Sequence, residues 1–486
     1  MRKIPRCMSS QHPDNVRLPF FAESADLGGE DEIQEAFYAY SHIGCDEQMW
    51  DYEGKEVDGF VVKKLLTKYP DFFMNNRLGK DIFLTLRVPN PEEEIAEAKI
   101  LVETLESIPR SFDASNITFN DDIAPIFEVI LPMTTSEQGL DRIYNYYHNF
   151  VSGKQNIPIS TGDISVGDWV GRFEPQYINV IPLVEDKQHI LFSHFLLKAY
   201  LSDKDIESQR IFFARSDPAL NYGLLTAVLI NKIAHQKIHD MSEELSVDLY
   251  PMIGVGSAPF RGNLRPSTVE RVMKEYPSVQ TFSIQSSFKY DNPPNEVSKG
   301  IQKMQDTPRK KPHHMNEEKC LEVIERYSDE YSKQVFQLAP LINRVSEFIP
   351  KRRKRKLHIG LFGYCRTMGD FCLPRAIKFT ASLSSLGLPP SILGLNALDN
   401  KDYDFVKTQY IYFEEDLKDS LKFFNPDQNI LKVDFNAKLK DFNIDYETDE
   451  EHKFISEDIA ESVKKNRNED LAQKVLLAAS RRQYLG

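Results

Sequence analysis

RIFFARSDPALNYG, Arg210–Gly223, is the stretch that decides the fold. Ile211-Phe212-Phe213-Ala214 is a short apolar run. Arg215, Ser216 and Asp217 follow at once, and Pro218, Asn221 and Gly223 then break the strand. A buried strand that delivers charge at its C-terminal end is how an α/β barrel places working groups. Taken alone, the segment also fits an ordinary strand end with an Asx-type turn. The argument rests on repetition, because other apolar runs here end the same way.

Upstream, DIFLTLRV (81–88) ends in Arg87 before Pro89-Asn90-Pro91. PIFEVILPM (125–133) meets Thr134-Thr135-Ser136, and YINVIPLV (177–184) meets Glu185-Asp186. Downstream, residues 248–253 run into GVGSAPFRG (254–262), residues 279–284 into QSSFKYD (285–291), and LHIGLFG (357–363) into YCRTMGD (364–370). Helical spacing follows most of these runs, as in Glu92–Ser107 with its acidic first turn and in residues 223–245. The result is seven strand candidates, with an eighth expected near Met8 or Tyr40–Cys45. Alternating strands and helices imply parallel strands joined by crossover helices.

The expected fold is therefore α/β, a TIM-like (β/α)8 barrel with additional helices in insertions and at the C-terminus. An open doubly wound sheet is the runner-up, weakened because no Gly-x-Gly-x-x-Gly opens the first unit. The chain reads as one domain over 1–486. Barrel strands are expected within about 80–395, a helical insertion at about 292–356 and peripheral helices at about 401–486. Residues 1–30 look irregular, and a functional segment there would have to fold back onto the body. Residues 45–58, CDEQMWDYEGKEVD, are acidic and polar.

The 486 residues are 41% hydrophobic and 27% charged, as expected of a globular chain with a large core. A net charge of −13 argues against a general nucleic-acid binder. The basic run KRRKRK (351–356) reads as a solvated face, or as an anion or subunit contact, rather than as a nuclear signal. Five cysteines without a CxxC pair point to reduced thiols and a cytoplasmic protein. The basic N-terminus lacks an apolar stretch behind it, and no run approaches 18 apolar residues, so neither a signal peptide nor a membrane span is expected.

Polar residues gathered at the strand ends are Arg87, Thr134, Glu185, Asp217, Ser257, Arg261, Gln285, Lys289, Arg366 and Arg375. Glu185 and Asp217 come from successive strands. Mg²⁺ often uses one or two carboxylates plus water and substrate. Arginine suits bidentate recognition of carboxylate and phosphate. A metal beside an arginine cluster points to a small phosphorylated carboxylate, whereas the plain alternative is a ring of salt bridges around a barrel mouth. The glycine-rich GVGSAPFRG could cradle phosphate with backbone N–H groups, but it lacks the Lys-Ser/Thr of an ATP-type loop. His12 sits in a loop, and its titration range suits a general base.

The segments SSQHPDN, CDEQMWDYEGKEVD, FLTLRVPNP, FEVILPMT, VIPLVED, RSDPALNYG, GVGSAPFRG, QSSFKYD, FGYCR and LPRAIKFTASLSSLGLPPSILG occur in this order. In them the chain resembles the short, archaeal-type phosphoenolpyruvate carboxylases. The resemblance implies carbon dioxide fixation, the irreversible formation of oxaloacetate and phosphate from phosphoenolpyruvate and bicarbonate, replenishing the tricarboxylic acid cycle. It also implies a lyase with Mg²⁺ or Mn²⁺ and no biotin, a homotetramer, and aspartate or malate as the candidate inhibitor, since some members of the family are inhibited by them. Gln11-His12-Pro13 resembles the segment carrying the general base of the larger enzymes. Leu84-Thr85-Leu86-Arg87 resembles the one carrying a substrate arginine. Metal ligands fall on Glu185 and Asp217 rather than on the earlier Glu128. Arg261 and Arg375 match two further arginines, with Arg366, Gln285 and Ser257 as further substrate contacts.

There are departures. Ile253-Gly254-Val255-Gly256 stands where the larger enzymes have His-Gly-Arg-Gly, and Asn221 follows Asp217 without their lysine. Arg215 or Arg366 is the expected replacement for the missing charge, residues 254–262 the expected lid, and Arg481 and Arg482 are further candidates to reach the site. Two rival readings remain open at this stage. One is another phosphoenolpyruvate or pyruvate barrel enzyme, a mutase or a carbon–carbon lyase. The other is a silent anion-binding sensor that uses the basic run to meet a partner.

Overall fold

A computed structural model describes residues 3–55, 57–354, 366–368 and 371–486. Eight parallel strands close into a barrel: β1 (Cys7–Ser9), β2 (Glu47–Asp51), β3 (Phe83–Arg87), β4 (Glu128–Leu131), β5 (Asn179–Val184), β6 (Ser208–Ala214), β7 (Asp248–Gly254) and β8 (Thr281–Ile284). Each strand pairs with the next in sequence, and β8 pairs with β1 through Met8 opposite Ser283. The expected barrel is present, but its limits differ from those read in the sequence. Its strands span Cys7–Ile284 rather than about 80–395. The eighth strand lies at Met8, whereas Tyr40 ends up in the helix Glu30–Ser41. β2 comes from the acidic segment that gave no strand signal. The candidate at 357–363 lies outside the described residues, and the barrel closes without it.

The interior explains why β2 was hidden. Inward residues alternate along each strand. Met8, Met49, Ile130, Ile181, Leu183, Phe212, Ala214 and Met252 form an apolar cluster inside the barrel. Below it, the Arg210 guanidinium donates to Glu47 at 2.7 and 2.8 Å and to Glu128 at 2.8 Å, all three side chains being buried. Thus β2 carries Glu47 at the floor and Asp51 at the rim, and only Met49 between them is apolar on that face. Register places Asp51 opposite Arg87 on β3.

Outside the barrel, helices follow most strands, including Lys187–Leu201 after β5 and Leu224–Leu245 after β6. Asp186 caps the first of these by accepting from the N–H groups of Gln188 and His189 at 2.9 and 3.1 Å. The helix after β3 starts at Ala98, later than the expected Glu92. Asn90 holds Glu92, Glu93 and Glu94 in a turn first, accepting from all three N–H groups.

Residues 294–306 and 317–346 form helices, but they follow the last barrel strand instead of interrupting the barrel. Helices between Asn400 and Arg482 complete the chain, and the last packs Val475, Ala478 and Ala479 against Ala381 and Ile459. Of the described residues of the basic run, Lys351 and Lys354 are exposed, as a solvated face requires, but Arg352 and Arg353 are buried. Arg352 donates to the carbonyls of Asn15 and Val16, and buried Arg353 pairs with Glu32 and Glu35, clamping the N-terminal segment. β9 (Arg366–Met368) and β10 (Phe371–Leu373) pair antiparallel outside the barrel. Neither Arg481 nor Arg482 lines the cavity at the C-terminal ends of the barrel strands: Arg481 pairs with Asp449 and Glu451, and buried Arg482 donates to His452.

Cys7, Cys45 and Cys320 are free and buried, whereas Cys372 is disulfide-bonded. The expectation of reduced thiols fails at that position, for which CxxC spacing carries no signal. Among the described residues, no helix is long and apolar enough to cross a membrane.

Candidate active site

The C-terminal ends of the strands open into a cavity of about 960 Å³. Leu183, Phe212, Ala214 and Gly254 line its floor. A side chain at Gly254 would meet the Phe212 ring at 3.2 Å, so glycine keeps that floor clear. His12, Arg87, Glu185, Asp217, Arg261, Gln285 and Arg375, all read from the sequence, line this one cavity. Two others do not join them. Ser257 is buried beside it, donating its hydroxyl to the Leu264 carbonyl at 3.2 Å. The Arg366 side chain lies outside the described residues.

One wall carries two carboxylates. Glu185 directly follows β5, and Asp217 sits in the first turn of the helix Ser216–Tyr222 that follows β6. Because Asp186 is taken up in capping, Glu185 is the residue of that pair left to the cavity. Burial, and then the charges of Asp217 and Glu53, push the Glu185 carboxyl above its usual range; Arg87 and Arg375 oppose this. A carboxyl raised by a neighbouring carboxylate is what a bound cation relieves. Two carboxylates also match the sparse protein ligation of Mg²⁺. The donor set fits a divalent cation. Among the described residues, no group of three or more His, Cys, Asp or Glu is arranged to hold a metal.

Cations paired with Asp51 and Glu53 line the same cavity. Arg87 donates from Nε to Asp51 Oδ1 at 2.7 Å and from a terminal nitrogen to Asp51 Oδ2 at 2.8 Å, and it also pairs with Glu53. Arg375 lies 3.9 Å from Glu53. Lys55 pairs with Asp51 and lines the cavity. Sequence reasoning gave no role to Asp51, Glu53 or Lys55: CDEQMWDYEGKEVD carried part of the family resemblance but no strand signal and no assigned site residue.

His12 lies at the end of β1, with its Nδ1 3.1 Å from the Ser10 hydroxyl. Its position deep in the cleft lowers its pKa well below the ordinary value, helped by Arg87, Lys55, Arg261 and Arg375 in that order. The imidazole is therefore neutral and able to accept a proton.

Arg261 is nearly fully buried. Its guanidinium donates to the Ser216 hydroxyl at 3.1 Å, the Gln285 amide oxygen at 2.6 Å, the Gly486 carbonyl at 2.6 Å and Asp14 at 3.3 Å. These bonds draw together residues 14, 216, 285 and 486, and only Gln285 of the four partners was a candidate from the sequence. Asp14, within SSQHPDN, also accepts from the Ser287 N–H at 2.7 Å.

The glycine-rich loop is packed into the protein and bonded largely to itself. Residues 255–264 are all buried. The Gly256 N–H donates to the Arg261 carbonyl, and the Asn263 N–H to that of Ala258. The Ser257 N–H lies 3.4 Å from Asp14. A Cβ at Gly256 would lie 2.9 Å from the Arg261 guanidinium, so the glycine makes room for that arginine. Arg215, an expected replacement for the missing charge, also lines the cavity, and its guanidinium donates to the Phe260 carbonyl at 3.3 Å. Lys289 turns inward to Ser9, Ser10 and Glu35, and the Thr134 hydroxyl donates to the Leu131 carbonyl. Lys289 and Thr134 are structural rather than part of the rim.

A family model described as phosphoenolpyruvate carboxylase matches residues 4–486. A protein of Methanothermobacter thermautotrophicus named phosphoenolpyruvate carboxylase is 52% identical over 484 residues, with 100% of both chains covered. One of Methanospirillum hungatei JF-1 with the same name is 51% identical over 484 residues, again with 100% of both covered. One of Pyrococcus furiosus, also so named, is 54% identical over 425 residues, covering 87% of this chain and 89% of that one.

Proposed function

The chain belongs to the phosphoenolpyruvate carboxylase family, and from that premise we propose how this cavity makes oxaloacetate and phosphate from phosphoenolpyruvate and bicarbonate. The observation that carries the proposal is that one cavity gathers Glu185 and Asp217 with Arg87 and Arg375, both arginines close enough to act on the Glu185 carboxyl. Glu185 and Asp217 would hold Mg²⁺ or Mn²⁺, which when bound supplies positive charge to the oxygens of the substrate. Arg87, fixed by Asp51, and Arg375 hold the phosphate and carboxylate of phosphoenolpyruvate.

Bicarbonate, oriented by Arg261, attacks phosphorus. The bond from phosphorus to the enol oxygen breaks, giving carboxyphosphate and the enolate of pyruvate. Neutral His12 takes the carboxyphosphate proton, which releases CO₂ and phosphate. The enolate carbon then bonds to CO₂ and forms oxaloacetate. A closed site matters here, because water would protonate the enolate to pyruvate. In the same reading the enzyme works in the cytoplasm as a homotetramer, and aspartate or malate inhibits it.

His12→Asn tests the order of steps. Phosphate release that still depends on bicarbonate, with oxaloacetate abolished, is the expected result. Loss of both activities in a folded variant that still binds Mg²⁺ refutes the role given to His12. A mutase or a carbon–carbon lyase would show no bicarbonate dependence in the wild type.

A further inference from the structure

Lys55 is a buried lysine on the wall of a cavity. Its side chain is 3% exposed, and Asp51, its partner, is fully buried. Gly54, at φ 66°, makes the turn that returns Lys55 onto the strand end it has just left. Asp51 is held independently. Its N–H donates to the Gln11 side chain at 2.9 Å, and its carboxylate accepts two bonds from Arg87 and one from the Glu53 N–H at 3.2 Å. A carboxylate so well satisfied does not require a second buried cation, and desolvating an ammonium is costly. Lys55, Arg87 and Arg375 all line the cavity, with Asp51 and Glu53 among their partners. Lys55 thus stands beside Arg87 at the space in which the reading above places a phosphorylated carboxylate.

We infer that Lys55 is a substrate-binding residue, donating from its ammonium to an anionic oxygen of phosphoenolpyruvate beside Arg87. Asp51 then serves two cations at once, orienting the Arg87 fork with both oxygens and holding the Lys55 ammonium at the same rim. The inference rests on the carboxylase reading. Support comes from His12, on which the charge of Lys55 acts more strongly than that of Arg261 or Arg375.

The test uses the full chain with Mg²⁺. Wild-type turnover of phosphoenolpyruvate with bicarbonate is measured first; its absence refutes the carboxylase reading itself. Titration calorimetry with phosphoenolpyruvate and Mg²⁺ in bicarbonate-free buffer then compares wild type, Lys55→Met, Lys55→Gln and Lys55→Arg. Loss of one charged hydrogen bond should weaken binding roughly 10- to 100-fold in the Met and Gln variants. The KM for phosphoenolpyruvate should rise in step, with the KM for bicarbonate and the urea midpoint unchanged. Lys55→Arg, which keeps the charge, should recover most of the affinity. Binding within twofold of wild type in the Met and Gln variants overturns the inference. So does a rise confined to the KM for bicarbonate, or a fall in urea midpoint shared by all three variants.

Discussion

Arg210→Met probes the frame that carries the site. Arg210 is 2% exposed and bridges Glu47 on β2 to Glu128 on β4, with a 3.3 Å contact to the Thr85 hydroxyl on β3. Methionine fills much of the same volume but leaves two carboxylates buried without their cation. Breaking a buried ion pair by removing one partner costs about 3–5 kcal/mol. Taking about 4 kcal/mol and a urea slope of about 3 kcal/mol per M, the midpoint should fall by about 1.3 M. Adding Glu47→Gln and Glu128→Gln removes both stranded charges and should restore most of that loss. Arg210 lies at the far end of the barrel from the cavity, so kcat of the folded single variant should match wild type. Urea unfolding followed by fluorescence, beside a turnover assay at low denaturant, reads both quantities. A midpoint within about 0.3 M of wild type, which at that slope is about 1 kcal/mol, would refute the reasoning. So would a triple variant no more stable than Arg210→Met.

Gly256→Ala should push the Arg261 guanidinium out of its four bonds and lower kcat/KM about 10- to 100-fold while the chain stays folded, taking roughly 1–3 kcal/mol for overpacking; turnover and circular dichroism check it, and unchanged kcat/KM contradicts it. His452 concerns pH. Burial, then Arg482, lowers its pKa to about 3, and its Nε2 accepts from Arg482 at 2.8 Å. Between about pH 3 and 6.5 the unfolded chain holds a proton that the folded chain lacks, so stability rises with pH across that window, and is lost on acidification, by about 1.4 kcal/mol per unit. His452→Gln should remove that slope in urea titrations at pH 4–6; parallel profiles for the two proteins contradict it.

The fold was legible where strands are apolar and end in charge. Phe212-Phe213-Ala214 before Arg215-Ser216-Asp217 marks β6, and Val180-Ile181-Pro182-Leu183-Val184 before Glu185 marks β5. β2 was not legible because Glu47 and Asp51 are polar residues pointing inward, one into an ion triad and one into the site. Their partners Arg210 and Arg87 lie 163 and 36 positions away. Periodicity reports which faces are apolar, and it has no term for a polar face satisfied at such distance. The same limit hid Lys55 and Asp14, each a single charged residue in a loop. Gly256 misled in another way. A glycine shows that something approaches the backbone closely, and the approaching group is the chain's own Arg261 rather than phosphate. The basic run misled because Arg352 and Arg353 find their partners in residues 15–35.

Oxaloacetate formation from phosphoenolpyruvate, bicarbonate and Mg²⁺, coupled to malate dehydrogenase, tests the carboxylase reading most directly when wild type and Asp217→Asn are compared. Turnover that depends on bicarbonate and on Mg²⁺ in the wild type, and that falls at least about a hundredfold in the variant, is the expected result, since metal-supplied charge stabilisation is worth several kcal/mol. No oxaloacetate from folded wild type with either Mg²⁺ or Mn²⁺, or full activity in Asp217→Asn, would contradict it.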